Sequence, residues 1–303
     1  MATSQDVDTV EIPPGVAERR APDAGSARVH LDLAAASHAG KVRPVNEDHF
    51  LVGRFDRSME TLLTNLPPGS VPQRAGETGY CMIVADGVGG AAAGEVASRA
   101  AIAGLVDLAL QTPDWIMRAG DGFLQEVAAR MERRFRQVNR ELSEQARADP
   151  ALYGMATTLT VAVSLGADLL VIHVGDSRAC LLRRGRLERL THDHNLAQAL
   201  ADVGAIRPEE AATHRLRHVL TNVVGAKGEE IKVELQHLRL ADGDQVLLCT
   251  DGLTDMASET AVADVLARPG PAAAACEALV GLALAGGGKD NVTVVLARFQ
   301  ISG

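Results

Sequence analysis

Four acidic segments stand out in this 303-residue chain: Asn46-Glu47-Asp48, Asp86-Gly87, Asp251-Gly252 and Asp290-Asn291. Each lies at one end of a short apolar run that reads as a β-strand. Carboxylates at strand ends, with glycine beside two of them, suit hard divalent cations, because Mg2+ and Mn2+ prefer oxygen ligands. Two such ions close together can clamp a phosphate and activate water. Taken alone, Asp86-Gly87 reads as a strand-ending turn and Asp290-Asn291 as an Asx turn. Acids at the ends of so many apolar runs make turns alone a poor account of the set.

Something must bring these remote segments together, and the composition bounds what that is. The chain is 47% hydrophobic and only 3% aromatic, so a sizeable core must be built from Val, Leu, Ile and Ala. Its net charge of −9 argues against a non-specific nucleic-acid or anionic-membrane binder. The cysteines, Cys81, Cys180, Cys249 and Cys276, form no CxxC pair and read as buried free thiols of a reducing cytosol. Residues 1–28 are polar, contain Pro13-Pro14 and lack the apolar segment of a secretory signal, so they read as a disordered tail. No run approaches the roughly 20 apolar residues of a membrane span. The expectation is a monomeric cytoplasmic protein.

Strands are expected over His30–Ala36, with Asp48–Arg54 as partner, and over Tyr80–Ala85, which delivers Asp86. Phe55–Gly79, with Pro67-Pro68-Gly69, reads as an insertion loop. Apolar spacings of three and four predict helices over Glu95–Leu110 and from about Gly122 to Arg147. Paired strands follow at Thr157–Leu165 and Leu169–Gly175, then a hairpin at Arg178–Arg183 and Arg186–Leu190 turning at Arg184-Gly185. After a polar, short-helical stretch come strands at Val233–Leu240, Gln245–Cys249 and Val292–Phe299, with helices at Ser258–Ala267 and Pro271–Leu284. This order is not a βαβ repeat. It predicts one α+β domain over 29–303 in which two mainly antiparallel sheets are flanked by helices.

The motif order resembles the metal-dependent protein phosphatases of the PPM, or type 2C, family. Its matching stretches are Gly40–Asp48, Val84–Gly90, Ala156–Leu159, Val174–Ala179, Thr191–Asn195, Thr250–Asp255 and Lys289–Thr293. Seven motifs in order, from about His30 to Phe299, make a specific signal, although each alone is weak. The resemblance implies a four-layer αββα sandwich and two Mg2+ or Mn2+ ions. Asp86 and the Gly87 carbonyl, with Asp251, Asp290, Glu47 and Asp48, would hold them directly or through water. Asp176 with Asp251, and Asp255 as an even choice, would form the third cation site of bacterial members. Arg43 would grip the substrate phosphate with its guanidinium fork. The implied reaction is hydrolysis of phosphoserine or phosphothreonine in proteins that a serine/threonine kinase has phosphorylated, by a metal-activated water without a phosphoenzyme. Arg43, Asp48 and Asp86 are the catalytic candidates.

Thr157 and Thr158 read as supports, Asn291 as a group orienting carboxylates, and His192 and His194 as structural. The segment at about 195–217 takes the place of the family's mobile flap. Val88 stands where some members carry a general-acid histidine. Cys180 and Arg186 have the spacing of a Cys-x5-Arg phosphatase loop but lie in an apolar hairpin without a glycine-rich cradle. Two alternatives remain: a non-catalytic phosphoprotein-binding member, and a narrow-specificity stress-signalling phosphatase of the same fold.

Overall fold

The computed structural model describes residues 28–89, 93–111, 123–225 and 230–302. The expected tail lies outside them except for Arg28, which opens the first strand. In chain order come β1 (Arg28–His38), β2 (His49–Glu60), β3 (Arg74–Ala85) and the short β4 (Gly87–Val88), then α1 (Ala93–Gln111) and α2 (Phe123–Ala148). The short β5 (Ala156–Thr157) precedes β6 (Leu159–Leu165), β7 (Asp168–Val174), β8 (Arg178–Arg183) and β9 (Arg186–Arg189). After α3 (Leu196–Asp202) and α4 (Pro208–Ala211) come β10 (Glu234–Arg239), β11 (Gln245–Cys249), α5 (Asp251–Thr254), α6 (Glu259–Leu266), α7 (Ala272–Ala285) and β12 (Val292–Ser302).

Two five-stranded antiparallel sheets form, in the orders β1-β12-β11-β8-β9 and β10-β7-β6-β3-β2. Period-2 alternation gives the central strands two apolar faces. In β3, Met82 and Val84 face the opposite sheet while Ile83 and Ala85 face helices. In β12, Val295, Ala297 and Phe299 point between the sheets, and Val292, Val294 and Leu296 point to α5, α6 and α7. The stripe Val127, Met131, Phe135, Val138 and Leu142 packs α2 against its sheet beside α1. Each fully buried side chain of this size contributes about 1.5–3 kcal/mol. These three apolar layers make the αββα sandwich expected from the resemblance.

Two expectations need correction. β1 does not pair with β2: it lies along β12 throughout, from Arg28↔Ser302 to His38↔Val292, while β2 pairs with β3 from His49↔Ala85 to Glu60↔Arg74. The two strands therefore belong to different sheets. Consequently Phe55–Gly79 is mostly a long β2–β3 hairpin whose loop is residues 61–73. The β8–β9 hairpin turns where expected, with positive φ at both Arg184 (52°) and Gly185 (77°), the signature of a type I′ turn.

Antiparallel pairing sets the C-terminal end of one strand beside the N-terminal end of the next. His49↔Ala85, Val84↔Thr160 and Leu159↔Val174 therefore gather the start of β2, the end of β3, the start of β6 and the end of β7 at one rim. In the other sheet, His38↔Val292, Cys249↔Val294 and Cys249↔Arg178 gather the matching ends. All the acidic segments flank these ends.

Candidate metal centre

Glu47, Asp86, Gly87, Asp176, Asp251 and Asp290 line one cleft of about 490 Å³, together with Arg43, Asn291, Arg217, His218 and Asp255. Asp48 lies buried beside it, and its charge is felt at Asp86. The structure thus brings every predicted ligand to one place from strand ends as far apart in sequence as positions 47 and 290.

Hydrogen bonds from backbone and hydroxyl groups hold the acids there. The Asp86 amide donates to the Thr158 hydroxyl (2.9 Å), and the Asp86 carbonyl accepts from the Thr158 amide (2.9 Å) and the Thr157 hydroxyl (2.8 Å). Both threonines are therefore supports, as expected. Asn291 is a buckle rather than a ligand. Its Oδ1 accepts from the Glu47 amide (2.8 Å), and its Nδ2 donates to the carbonyls of Ala39 and Val45 (2.9 Å each). It thereby ties the loop carrying Arg43 and Glu47 to the start of β12. A side chain at Gly252 would collide with the Asn291 carbonyl, and one at Gly87 with that of Gly94. Glycine is needed at both because backbones meet there.

Thr250, which the sequence reading did not single out, donates its hydroxyl to Asp48 Oδ2 (2.8 Å) and accepts from the Thr293 amide (3.0 Å). Asp48 Oδ1 is buried and has no hydrogen-bond partner. A bare carboxylate oxygen in the interior costs free energy unless something positive meets it.

The charges agree with that geometry. Burial pushes Asp48 up to about 7, offset only in part by the hydrogen bond from the Thr250 hydroxyl. Burial, then the charges of Asp48, Asp251, Asp176 and Asp290, holds Asp86 well above the carboxylate range. Burial and the Asp251 charge do the same for Asp176, and burial raises Glu47. Opposite charge in the cleft would relieve all four. The orphaned Asp48 oxygen and an all-oxygen donor set fit hard divalent ions.

Arg43 lies at the cleft mouth and donates from Nη2 to Asp290 Oδ2 (2.8 Å), with half its side chain exposed. An exposed pair of this kind is worth little, so the guanidinium can be redirected at small cost. Two further cations were not foreseen: Arg217 Nε donates to Asp255 Oδ1 (3.3 Å), and His218 Nδ1 lies 3.4 Å from Asp255 Oδ2. The sequence clue was the dipeptide Arg217-His218 at the end of the flap-like segment, whose approach to Asp255 depends on how that segment docks.

His173, His194 and Glu234 form a second ligand-like group, but hydrogen bonding argues against an ion there. His194 Nδ1 accepts from the Gly175 amide (3.1 Å) and faces Asn222 Nδ2 (2.9 Å), which places its proton on Nε2. That nitrogen, the one facing Glu234, then has no lone pair to offer. Burial lowers His173 to about 3 and His194 to about 4, so both are neutral structural groups. His192 pairs with Asp202 of α3 (2.8 Å). The four cysteines are free, and burial pushes Cys180 up to about 12. Cys180 pairs with Arg189 across the β8–β9 hairpin, so Cys180 and Arg186 frame no phosphate loop.

Residues 73–280 match the family model described as Protein phosphatase 2C, and the chain belongs to that family. It is 37% identical over 273 residues to serine/threonine protein phosphatase PstP of Mycobacterium tuberculosis, covering 89% of this chain and 46% of that protein. The chain thus spans about half the length of this relative. It is 33% identical over 217 residues to serine/threonine phosphatase Stp of Listeria welshimeri, covering 72% of this chain and 83% of the relative. Among solved structures, it resembles the catalytic domain of PstP in complex with two manganese ions (34% identity, TM-score 0.70), covering 90% of this chain and all of that one. The family match contains Asp86, Asp176 and Asp251; Arg43, Glu47, Asp48 and Asp290 lie outside its limits.

Proposed function

We propose that this chain is a protein serine/threonine phosphatase that depends on Mg2+ or Mn2+. The observation that carries the proposal is the convergence of mutually repelling carboxylates around a cleft, Asp48 and Asp176 buried and the others half-buried, with one Asp48 oxygen left bare. Glu47, Asp48, Asp86, the Gly87 carbonyl, Asp251 and Asp290 would hold two ions, and Asp176 with Asp251 a third. When bound, the ions supply positive charge that polarises phosphoryl oxygens and lowers the pKa of water.

The chain's own residues account for the remaining requirements. Thr157 and Thr158 fix the backbone of Asp86, and Thr250 fixes the Asp48 carboxylate, so that the strand end and that acid need not reorganise. Asn291 fixes Glu47 and the loop that presents Arg43. Arg43 turns from Asp290 to the incoming phosphoryl group and binds two of its oxygens. No cysteine, serine or threonine lines the cleft among the described residues, in keeping with direct attack by water and no phosphoenzyme. Val88 lines the cleft and carries no proton for the leaving alkoxide.

Residues 195–217, which include α3 and α4, form the flap that meets the protein substrate in this reading. Residues 29–303 act as one catalytic domain, as a cytoplasmic monomer acting on products of a serine/threonine kinase. No helix among the described residues is long and apolar enough to cross a membrane.

The test is phosphate release from a phosphothreonine peptide with Mn2+ and with EDTA. Release that needs Mn2+ supports the reading; no release from folded, Mn2+-saturated protein favours a non-catalytic binding member. In the same assay Arg43→Ala should raise KM for the peptide about tenfold or more and lower kcat less, because the fork is a phosphate contact. An unchanged KM would remove Arg43 from that role.

A further inference from the structure

Beside its carboxylates, one edge of the cleft is cationic. Lys289 lines the cleft together with Arg43. Lys41 stands two residues before Arg43, and its amide donates to the Gly288 carbonyl (2.7 Å). The stems of both lysines lie over a pair of glycines. A methyl group on Gly288 would lie 3.2 Å from Lys41 Cγ, and one on Gly287 would lie 3.8 Å from Lys289 Cε. Both lysines are exposed, and neither pairs with a carboxylate among the described residues. Arg217 and His218, elsewhere on the cleft, instead face Asp255.

The two loops that carry these charges are locked together. Gly40 has a φ of 82°, and a side chain there would meet the carbonyls of Asp290 and Gly288. Asn291 Nδ2 holds the carbonyls of Ala39 and Val45, on either side of Lys41 and Arg43. The backbone therefore fixes both lysines relative to Arg43, and only their stems are free to move. An ammonium is a compact point charge with rotatable donors, whereas the guanidinium is a planar fork. The fork suits a phosphoryl group with two oxygens to offer. The lysines suit single carboxylates whose position varies from one partner to the next.

We propose that Lys41 and Lys289 make this chain select phosphoproteins with aspartate or glutamate close to the phosphorylated residue. The proposal rests on the phosphatase reading and adds the substrate class to it. With Arg43 on the phosphoryl group, a carboxylate that reaches either lysine belongs to a residue within about three positions, since an extended chain advances about 3.3 Å per residue. Such contacts lie in water, so they act on encounter and binding and fade with salt. They favour substrate and transition state alike, so the effect falls on KM rather than on kcat.

The experiment gives the Mn2+-loaded full chain phosphothreonine peptides of equal length with aspartate, neutral or arginine flanks. Wild type should show a KM about fivefold lower for aspartate flanks than for neutral ones, with kcat within about twofold, and the preference should shrink in about 0.5 M NaCl. Lys41→Ala combined with Lys289→Ala should bring the ratio of the two KM values to within about twofold of one. Lys41→Glu combined with Lys289→Glu should turn the preference toward arginine flanks. Lys232→Ala, at a lysine that lines a separate cavity beside His192, should leave the ratio as in the wild type. Fluorescence anisotropy with labelled, non-hydrolysable phosphonate versions of the same peptides reads the same preference without turnover. Failure to hydrolyse any peptide would thus sink the phosphatase reading, while the binding ratio still decides this one. Equal wild-type affinity for acidic and neutral peptides would overturn the lysine assignment. So would a ratio unchanged in the folded double variants, or a loss shared equally by all the peptides, which would mean that the lysines only attract the phosphate.

Discussion

Asp86→Asn should lower Mn2+-dependent turnover of a phosphothreonine peptide by roughly 10³-fold or more while making the metal-free protein more stable. The two effects have one cause. Asp86 is the carboxylate on which the charges of Asp48, Asp251, Asp176 and Asp290 all act, so it is the natural bridge for cations and the worst-placed anion without them. Asparagine keeps its shape, and the supporting bonds from Thr157 and Thr158 reach the backbone of residue 86, not its side chain. The fold should therefore survive. Removing one negative charge relieves its four acidic neighbours, so the melting temperature in EDTA should rise. Calorimetry should show Mn2+ binding weakened in parallel with turnover. A substitution that merely damaged packing would lower both activity and melting temperature. Turnover within tenfold of wild type, or a destabilised metal-free variant, would contradict the assignment of Asp86.

Much of this site could be read from the chain because each acid is local to a strand end. The Tyr80–Ala85 run announces its own strand, and Asp86-Gly87 follows it without help from the rest of the fold. Strand partnership is different. The residues of β1 alternate in a way that fits either β2 or β12, and nothing near His30 says that Ser302 and Val292 will lie beside its two ends. The outer half of the β2–β3 hairpin was missed because Arg57 interrupts the apolar positions Phe55 and Met59, and Gly76 and Gly79 weaken the pattern on the return strand. Its strand character comes from cross-strand partners such as Thr78 Oγ1 to Asp56 (2.6 Å) and Arg74 to Glu60 (2.8 Å). Thr250 and His218 were missed for a related reason. Thr250 matters through Asp48, 202 positions away, and His218 through the docking of a segment with little apolar periodicity. Asn291 was legible as an orienting residue, but that it buckles Ala39, Val45 and Glu47 was not.

The metal-free protein should lose stability as pH rises from about 5 through 7 and beyond, and Mn2+ should abolish or reverse that loss. Asp48, Asp86 and Asp176 all have folded-state pKa values above their ordinary range, Asp48 up to about 7 and the other two well raised. A raised carboxylate keeps its proton in the folded state where the unfolded chain has released it. The folded state then binds more protons, and stability falls with pH from near the unfolded pKa through the folded one. For Asp48 alone the full effect is on the order of 4 kcal/mol. Two histidines act in the opposite sense at lower pH. His173, lowered to about 3, and His194, lowered to about 4, are neutral when folded but charged in the unfolded chain below about 6.5, so they favour folding as pH rises to that point. Below it they offset part of the carboxylate fall, and above it they are silent. His218, raised by the nearby carboxylates of Asp251 and Asp255, adds to the fall, since its stabilising charge is lost as pH rises through its folded pKa. Melting temperature in EDTA should therefore fall already between about pH 5 and 7, where the three raised carboxylates outweigh the two histidines, and the drop between pH 5 and pH 8 should be about 5 °C or more. With saturating Mn2+ the same series should be flat or rising, because cations bind the ionised carboxylates of the folded state. Asp86→Asn should shrink the fall in EDTA. A metal-free protein equally stable at pH 5 and pH 8 would mean that these acids do not confront one another in the fold, and the cation-holding role of the cleft would lose its physical basis.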